Sequence, residues 1–492
     1  MNIKLITVLS IAIAGFAALT TSYAAAKTTK PNIVFILADD LGWADVAYNG
    51  HPFNETPNID KLIQAGMKFD RAYAGGPNCL PMRSCLISGM YTPRTQIWNP
   101  GGKSKGENKF MKFDVPSKGK KSRTIPSKIA MEPSVTSIAE VLKTAGYTTA
   151  RFGKWHVGKD TQGFDISDPN GKGGKIGRKF YGNINVAEWL TDASVKFIED
   201  NKEGPFFLYL SHWDVHAPIR ARKDVVDKFQ RKFDGQKEWT HDWNVPFAAM
   251  LEAADVSVGR VRAKLKELGL EENTLFIFSS DNGGPAGITI SAPLKGAKGA
   301  FFEGGVRVPT AMVWPAVIKP KTVCATPITS VDFMPTFAEM AGAKLPQNQP
   351  VDGKSFTGLL KGEDILKDRS IFWHFPLYLL GVDHGRVVPV FGTNELYWRA
   401  TPSSMIMNGD WKLIHFFEDN SIQLYNVKKD IGEKYELSKS NPEMAKKLFE
   451  ELKTWQKETK AVIPTVLNKS FDSSGDKSQK ASKPKRKPNP KS

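Results

Sequence analysis

The sequence predicts an α/β fold: a large, mostly parallel sheet sandwiched by helices, followed by a smaller C-terminal α+β subdomain containing an antiparallel sheet. Three observations carry this. Over the first two thirds of the 492 residues, short apolar runs alternate with amphipathic stretches, the pattern of strands buried on both faces and joined by helices. Polar clusters follow the ends of those runs, where such sheets bind ligands. Beyond Gly342 the rhythm gives way to short, alternating segments.

In chain order, residues 32–37 read as a buried strand and 58–66 as a short helix. Ser134 is the expected cap of a helix that runs through Lys143 and stops at Gly146, and 147–152 is the next strand. A helix is expected over 185–199, a strand over 206–211, a long helix over 245–268 and a strand over 274–280. After a helix near 329–342, residues 404–407, 410–416 and 422–427 have the alternation of antiparallel strands, and 442–459 that of a closing amphipathic helix. This divides the chain into a catalytic domain over 27–355, a smaller subdomain over 356–468 and a tail over 469–492.

The hydrophobic fraction of 41% and charged fraction of 24% are those of a globular protein. Lys4, the apolar run 5–19 and the small residues 20–26 form an expected secretory leader over 1–26, cleaved near Ala24 or Ala26. That places the mature chain in the periplasm or outside the cell. The apolar run is short for a membrane span and no cysteine follows it to accept a lipid, so no membrane anchor is expected. Three cysteines, Cys79, Cys85 and Cys324, cannot build a disulfide framework. Of the net charge of +17, the stretch 101–130 carries +7 and 471–492 carries +5. The tail reads as a disordered basic segment. The insert is either solvated chain or a basic rim that attracts a polyanion. Nucleic acid is not an expected partner of an exported chain with no recognisable nucleic-acid module, and oligomeric state is left open.

The polar clusters carry the chemistry. Asp39 and Asp40 follow the first strand, where adjacent carboxylates repel unless a turn, a cap or a cation resolves them. Asp281 and Asn282 end the 274–280 strand and add two oxygen donors, making an all-oxygen set suited to Ca²⁺, with Mg²⁺ second. Lys154 and His156 share a loop after 147–152, and His216 lies just beyond 206–211. Lysines there offer positive charge and histidines a proton. The loop 293–309 adds Lys295 and Lys298 among glycines. Cys79 opens the run Cys79-Leu80-Pro81-Met82-Arg83 and is followed by Cys85. It reads either as a structural thiol or as a reactive one. A disulfide to Cys85 is disfavoured, because six helical residues separate the two by about 9 Å.

Together these segments resemble the type I sulfatases of the alkaline phosphatase superfamily, whose Cys-x-Pro-x-Arg signature marks one cysteine for oxidation to formylglycine. The resemblance runs from about residue 30 to 467 and omits the basic insert and tail. It implies an alkaline-phosphatase-like fold and a sulfuric ester hydrolase whose Cys79 becomes formylglycine (3-oxoalanine) through a formylglycine-generating enzyme. It also implies a Ca²⁺ ion held by Asp39, Asp40, Asp281, Asn282 and the modified Cys79. Arg83 would steady the formylglycine, and Lys154 and Lys298 would bind sulfate oxygens. His156 would take a hydroxyl proton to collapse the covalent sulfate hemiacetal, and His216 would protonate the leaving oxygen. Asp281 would help deprotonate the attacking hydroxyl, and Lys295 is given no role. Met82 stands where the commonest signature has Ser, and Ser88-Gly89 replaces Thr-Gly.

With export and a basic rim, the expected substrate is a sulfated polysaccharide or its oligosaccharides. His212, Trp213 and Asp214 are candidate sugar contacts, as are His374, His384 and Arg386 in the smaller subdomain. Two alternatives stand beside this reading: a phosphate mono- or diesterase of the same superfamily, and a glycan-binding protein whose Cys79 stays unmodified.

Overall fold

The computed structural model describes residues 30–101, 104, 108–114, 125, 127–159, 161–236, 243–380, 382–383, 386–387 and 398–472. The expected leader, much of the 101–130 insert, most of the tail and His384 lie outside the described residues. Arg386 lies in a short strand whose side chains are likewise outside them.

The strand β1 (Asn32–Ala38) is buried along its whole length, and its side chains alternate between two cores, as a pleated strand requires. Ile33, Phe35 and Leu37 join one hydrophobic cluster, while Val34, Ile36 and Ala38 join another. The remaining strands of this sheet are β2 (Met67–Phe69), β4 (Thr148–Gly153), β5 (Ile166–Asp168), β6 (Phe206–Ser211), β7 (Thr274–Ser280), β8 (Ala311–Val313) and β9 (Thr322–Cys324). A short β3 (Ala72–Tyr73) pairs apart from it with β10 (Ile328–Thr329). The sheet order is β5-β4-β6-β1-β7-β8-β2-β9, and β8 runs antiparallel to both its neighbours. Helices Cys79–Ser88, Ile138–Lys143 and Phe333–Ala341 cover the first face. Helices Pro57–Ala65, Val186–Asp200 and Val245–Glu267 cover the second.

Several boundaries differ from expectation for identifiable reasons. The cap of the Ile138–Lys143 helix is Ser137, whose hydroxyl accepts from Glu140 N while the Glu140 carboxylate accepts from Ser137 N. That capping box moves the start three residues beyond Ser134. The expected helix over 329–342 begins as a 3₁₀ turn, Ser330–Asp332, before becoming α-helical. Helix Lys223–Asp234 and the three-residue strands β2, β8 and β9 had no sequence expectation.

The smaller sheet is antiparallel, in the order β11 (Ser370–Phe375), β16 (Ser403–Asn408), β17 (Trp411–Phe416), β18 (Ile422–Asn426). Two minor pairs lie between: β12 (Leu379–Leu380) with β15 (Trp398–Ala400), and β13 (Val382–Asp383) with β14 (Arg386–Val387). One face packs Ile406, Leu413 and Leu424 on Leu448, Leu452 and Trp455 of the Pro442–Glu458 helix. The other packs Trp373, Met405 and Ile414 on Tyr73, Trp98 and Phe301 of the larger domain. Buried Lys412 adds a link, its Nζ lying 3.0 Å from both Glu303 and Glu433 carboxylates.

The described part of the insert is built into the structure rather than left as solvated chain. Met111 and Phe113 pack with Tyr378, Trp398 and Phe417. The chain also reaches the start of the expected tail, with Asp114 N donating to Val466 O at 2.8 Å, Asn468 N to Lys112 O at 2.9 Å and Asp472 N to Lys109 O at 2.6 Å.

Candidate active site

Four parallel strands, β1, β4, β6 and β7, deliver their carboxyl ends to one edge, as the sequence predicts. β1 ends in Asp39 and Asp40, and β7 in Asp281 and Asn282. Register fixes their approach: Ala38 pairs with Ser280, and Asp281 N donates to Ala38 O at 3.2 Å. Asp40 N then donates to Asp281 Oδ1 at 3.1 Å. Asp40 has φ +66° and His156 φ +68°, left-handed values rare outside glycine and concentrated at functional sites. Gly153, before Lys154, has φ +91°, and a Cβ there would lie 1.9 Å from Ser211 O. A side chain at 153 would push apart the two strand ends that present Lys154 and the 212–218 loop.

Cys79 is the first residue of its helix and only 2% exposed. Its Sγ lies 3.4 Å from Asp39 Oδ1, 3.7 Å from Asp40 Oδ1 and 3.3 Å from Lys154 Nζ. Lys154 also pairs with Asp39, and Lys298 Nζ lies 2.6 Å from Asp40 Oδ2. Arg83, one helical turn beyond Cys79, donates from Nε and Nη2 to Asp281 Oδ2 at 3.0 and 2.8 Å. Its Nη1 donates to Lys154 O at 3.0 Å and to Ser211 Oγ. His216 Nε2 faces Asp40 Oδ2 at 3.7 Å, and its Nδ1 lies 2.6 Å from Ala217 O.

Three carboxylates (Asp39, Asp40, Asp281) thus meet three cations (Arg83, Lys154, Lys298) in a buried cluster. Burial pushes the Asp39 carboxyl up, but Lys154, His216, Arg83 and Lys298 together bring it well below its ordinary value. Asp40 is likewise lowered, burial being outweighed chiefly by Lys298. Asp281 moves up, because burial and the Asp39 charge outweigh Arg83. Burial, then the Asp281 charge, pushes the Cys79 thiol well above its usual value despite the two lysines. Both effects favour the protonated form of an unmodified thiol at position 79, the poorer nucleophile.

A cation fits this donor set. Asp39, Asp40, Cys79 and His216 place ligand atoms within 4.8 Å of one another. Asn282 Nδ2 donates to Asp40 Oδ1 at 2.9 Å, while Asn282 Oδ1 is buried with no hydrogen-bond partner. A buried carbonyl oxygen without a donor is costly, and a bound cation would satisfy it. The carboxylate and carbonyl oxygens suit a hard divalent ion.

His156 lies on the same loop, exposed to solvent. Desolvation and then the charges of Lys154 and Arg83 hold its imidazole below the ordinary value. Lys295 is buried against Phe302, its Nζ 4.0 Å from the ring centroid.

The expected sugar contacts fare differently. His212 is fully buried, its Nε2 2.9 Å from Ser257 Oγ, so it offers no surface to a sugar. Asp214 is also buried, and its backbone brackets Asp39: Asp39 N donates to Asp214 O, and Val215 N to Asp39 O, each at 2.8 Å. It positions a carboxylate instead of facing solvent. Trp213 is half-buried, its Nε1 donating to Pro169 O at 3.0 Å and its ring 5.9 Å from Lys154 Nζ, so it stands beside the charged cluster. His374 is buried in β11, with Nδ1 2.7 Å from Ser404 Oγ and Nε2 3.1 Å from Val462 O. It is a packing residue of the small sheet, not a loop residue that closes over substrate.

Sequence reasoning missed two supports. Tyr181 donates to Ala217 O at 2.9 Å and stands 3.3 Å from His216 Nδ1; nothing near it in the chain marks it. Buried Asp45 accepts from Gly42 N at 2.7 Å and from Thr289 Oγ1, bridging the loops after β1 and β7. Burial raises its carboxyl to about 7. Its short spacing after Asp40 was the available signal.

This strand-end cluster sits on an alkaline-phosphatase-like fold, and comparison with known proteins gives the family. The Sulfatase family model matches residues 31–343, and that of the N-sulphoglucosamine sulphohydrolase C-terminal region matches 297–459. A "Sulfatase" of Formosa agariphila is 32% identical, over 87% of this chain and 88% of its own. N-acetylgalactosamine-6-sulfatase of Mus musculus is 28% identical, over 90% and 88%. Among solved structures, Ps i-CgsB in complex with k-i-k-neocarrahexaose superposes with a TM-score of 0.67 at 27% identity, covering 89% of this chain and 95% of its own. The chain belongs to the sulfatase family and is a sulfuric ester hydrolase.

Proposed function

We propose that the protein is an exported sulfatase that hydrolyses sulfate monoesters on a sulfated polysaccharide or its oligosaccharides, using a formylglycine made from Cys79 and a Ca²⁺ ion. The observation that carries this is the placement of Cys79 Sγ within 3.7 Å of Asp39, Asp40 and Lys154. The carbohydrate substrate is supported by relatives named for sulfated sugars and by a neighbour bound to neocarrahexaose.

A hydrated aldehyde at position 79 supplies two geminal hydroxyls, one to attack sulfur and one whose collapse releases sulfate. Asp39, Asp40, Asp281 and Asn282 would hold the Ca²⁺, which supplies positive charge beside the reacting oxygens. The three-against-three charge balance of the cluster gives the lysines their role. With a divalent ion held by Asp39 and Asp40, Lys154 and Lys298 would be free of those partners and would bind the nonbridging oxygens of a sulfate ester. Arg83 keeps Asp281 in place through two hydrogen bonds and anchors the floor of the site to Ser211. His216, fixed through Nδ1 to Ala217 O, presents Nε2 to the pocket to protonate the leaving alcohol. His156, two residues beyond Lys154 on the same loop, would take a hydroxyl proton in the release step.

Peptide mass spectrometry across Cys79–Arg83, on protein co-expressed with a formylglycine-generating enzyme, tests the nucleophile together with sulfate release from glycans. An aldehyde or its hydrate is expected in every active preparation. Full activity with an unmodified cysteine sinks the assignment.

A further inference from the structure

The short segment after the 3₁₀ turn Gly177–Phe180 leans on the loop that carries His216. The rings of Phe180 and Tyr181 meet that of Trp213 at centroid distances of 5.2 and 5.5 Å, the second edge-on at 89°. Gly182 follows with φ +70°, and a Cβ there would lie 2.8 Å from Pro218 Cγ. The Tyr181 hydroxyl donates to Ala217 O at 2.9 Å and stands 3.3 Å from His216 Nδ1. Rings, backbone and hydroxyl therefore touch the loop on both sides of His216. Tyr181 is nevertheless 46% exposed. A ring left so open buries little area and adds little to a core, so its polar contacts are the larger part of what it does there.

Those contacts decide which nitrogen of His216 can act. A carbonyl oxygen only accepts, and Ala217 O lies 2.6 Å from Nδ1, so Nδ1 carries a proton. Tyr181 gives its single hydroxyl proton to the same carbonyl and turns only lone pairs towards Nδ1. With acceptors as both neighbours, Nδ1 keeps its proton, and Nε2 is the nitrogen left to deliver one. The bond to Ala217 O is local, because histidine and carbonyl are adjacent in the chain and shift together. Tyr181 ties the pair to a separate segment.

We infer that Tyr181 is a positioning residue for His216, its hydroxyl holding the imidazole so that Nε2 meets the leaving oxygen. The inference rests on the general-acid reading of His216 above. As the oxygen of residue 79 bonds to sulfur, the bond from sulfur to the leaving oxygen breaks. The electron pair stays on that oxygen and the Nε2 proton neutralises it, leaving Nδ1–H in place. A nitrophenolate is stable without that proton, whereas a phenolate and, still more, a sugar alkoxide need it. Tyr181 therefore matters most for poor leaving groups, the class to which sugar hydroxyls belong.

The test uses mature protein, co-expressed with a formylglycine-generating enzyme, on 4-nitrophenyl sulfate and phenyl sulfate. Tyr181→Phe keeps the ring on Trp213 and removes only the hydroxyl. On phenyl sulfate its kcat is expected to fall about 10–10²-fold, while kcat on 4-nitrophenyl sulfate and KM for both esters stay nearly unchanged. Equal losses on the two esters, a raised KM at unchanged kcat, or no change at all overturns the positioning role. His216→Ala is measured alongside and should lose about 10²–10⁴-fold selectively on phenyl sulfate. Selective loss there with none in Tyr181→Phe leaves the general acid standing and overturns only the inference. Equal losses on both esters in His216→Ala remove the general acid itself, and the role of Tyr181 falls with it.

Discussion

Lys154 and Lys298 occupy the carboxylates that a cation would take, so the proposed metal would compete with lysine at the level of single side chains. Truncating a buried ion-pair partner leaves the other charge uncompensated, at about 3–5 kcal/mol. Lys154→Met is therefore expected to lower the melting temperature in chelator and to regain more of it than wild type on adding CaCl₂. An equal calcium shift in both proteins, read by differential scanning fluorimetry, would show that lysine and cation do not share Asp39. For Lys298→Ala, kcat for sulfate release should fall by about 10²–10³. The gathering of the pairs Asp39-Asp40 and Asp281-Asn282 at one sheet edge was legible in the sequence because adjacent polar residues directly after apolar strands announce such an edge. His212 and Asp214 read as sugar contacts for the same reason and are buried instead: they too follow a strand, yet His212 N still bonds Leu37 O at 2.9 Å, carrying the β6 ladder one residue further and turning that histidine inward.

At the scale of elements, long apolar strands were readable and short ones were not. β1, β4, β6 and β7 are six or seven residues each, enough for their composition to stand out. β2, β8 and β9 have three residues each, and tertiary contacts decide them. Two elements carry tests. In β4, Gly153→Ala should destabilise by at least about 1–3 kcal/mol in urea denaturation, since both the positive φ and the Ser211 carbonyl oppose a side chain. In β11, burial lowers the His374 imidazole to about 3, whereas the unfolded chain titrates near 6.5. The unfolded state thus takes the proton first, and this residue's contribution to stability is lost as pH falls from about 6.5 towards about 3, by about 1.4 kcal/mol per pH unit at most. His374→Gln should flatten that acid slope in denaturation curves; an unchanged slope excludes the histidine as its source.

Over the whole molecule, the two sheets share a hydrophobic core through Trp373, Met405 and Phe301 and a buried Lys412–Glu303–Glu433 cluster. One cooperative calorimetric transition is expected; two resolved transitions would mean that the subdomains unfold independently. The division of the chain into two sheets was foreseeable from the change in periodicity after Gly342. Their mutual packing was not, because its partners are far apart in sequence, Lys412 and Glu303 by 109 positions and Trp373 and the Ala74 carbonyl it bonds by 299. The burial of Cys79 under the ends of β1 and β7 also sets an order of events in biosynthesis. Asp281, against which Arg83 of the cysteine helix closes, is made about 200 residues after Cys79. At ribosomal rates of about 5–20 residues per second, the thiol stays uncovered for about 10–40 s. Under the proposed formylglycine chemistry, a maturation enzyme would have to act within that interval, or for as long as export kept the chain unfolded, and a protein that folded first would keep its thiol.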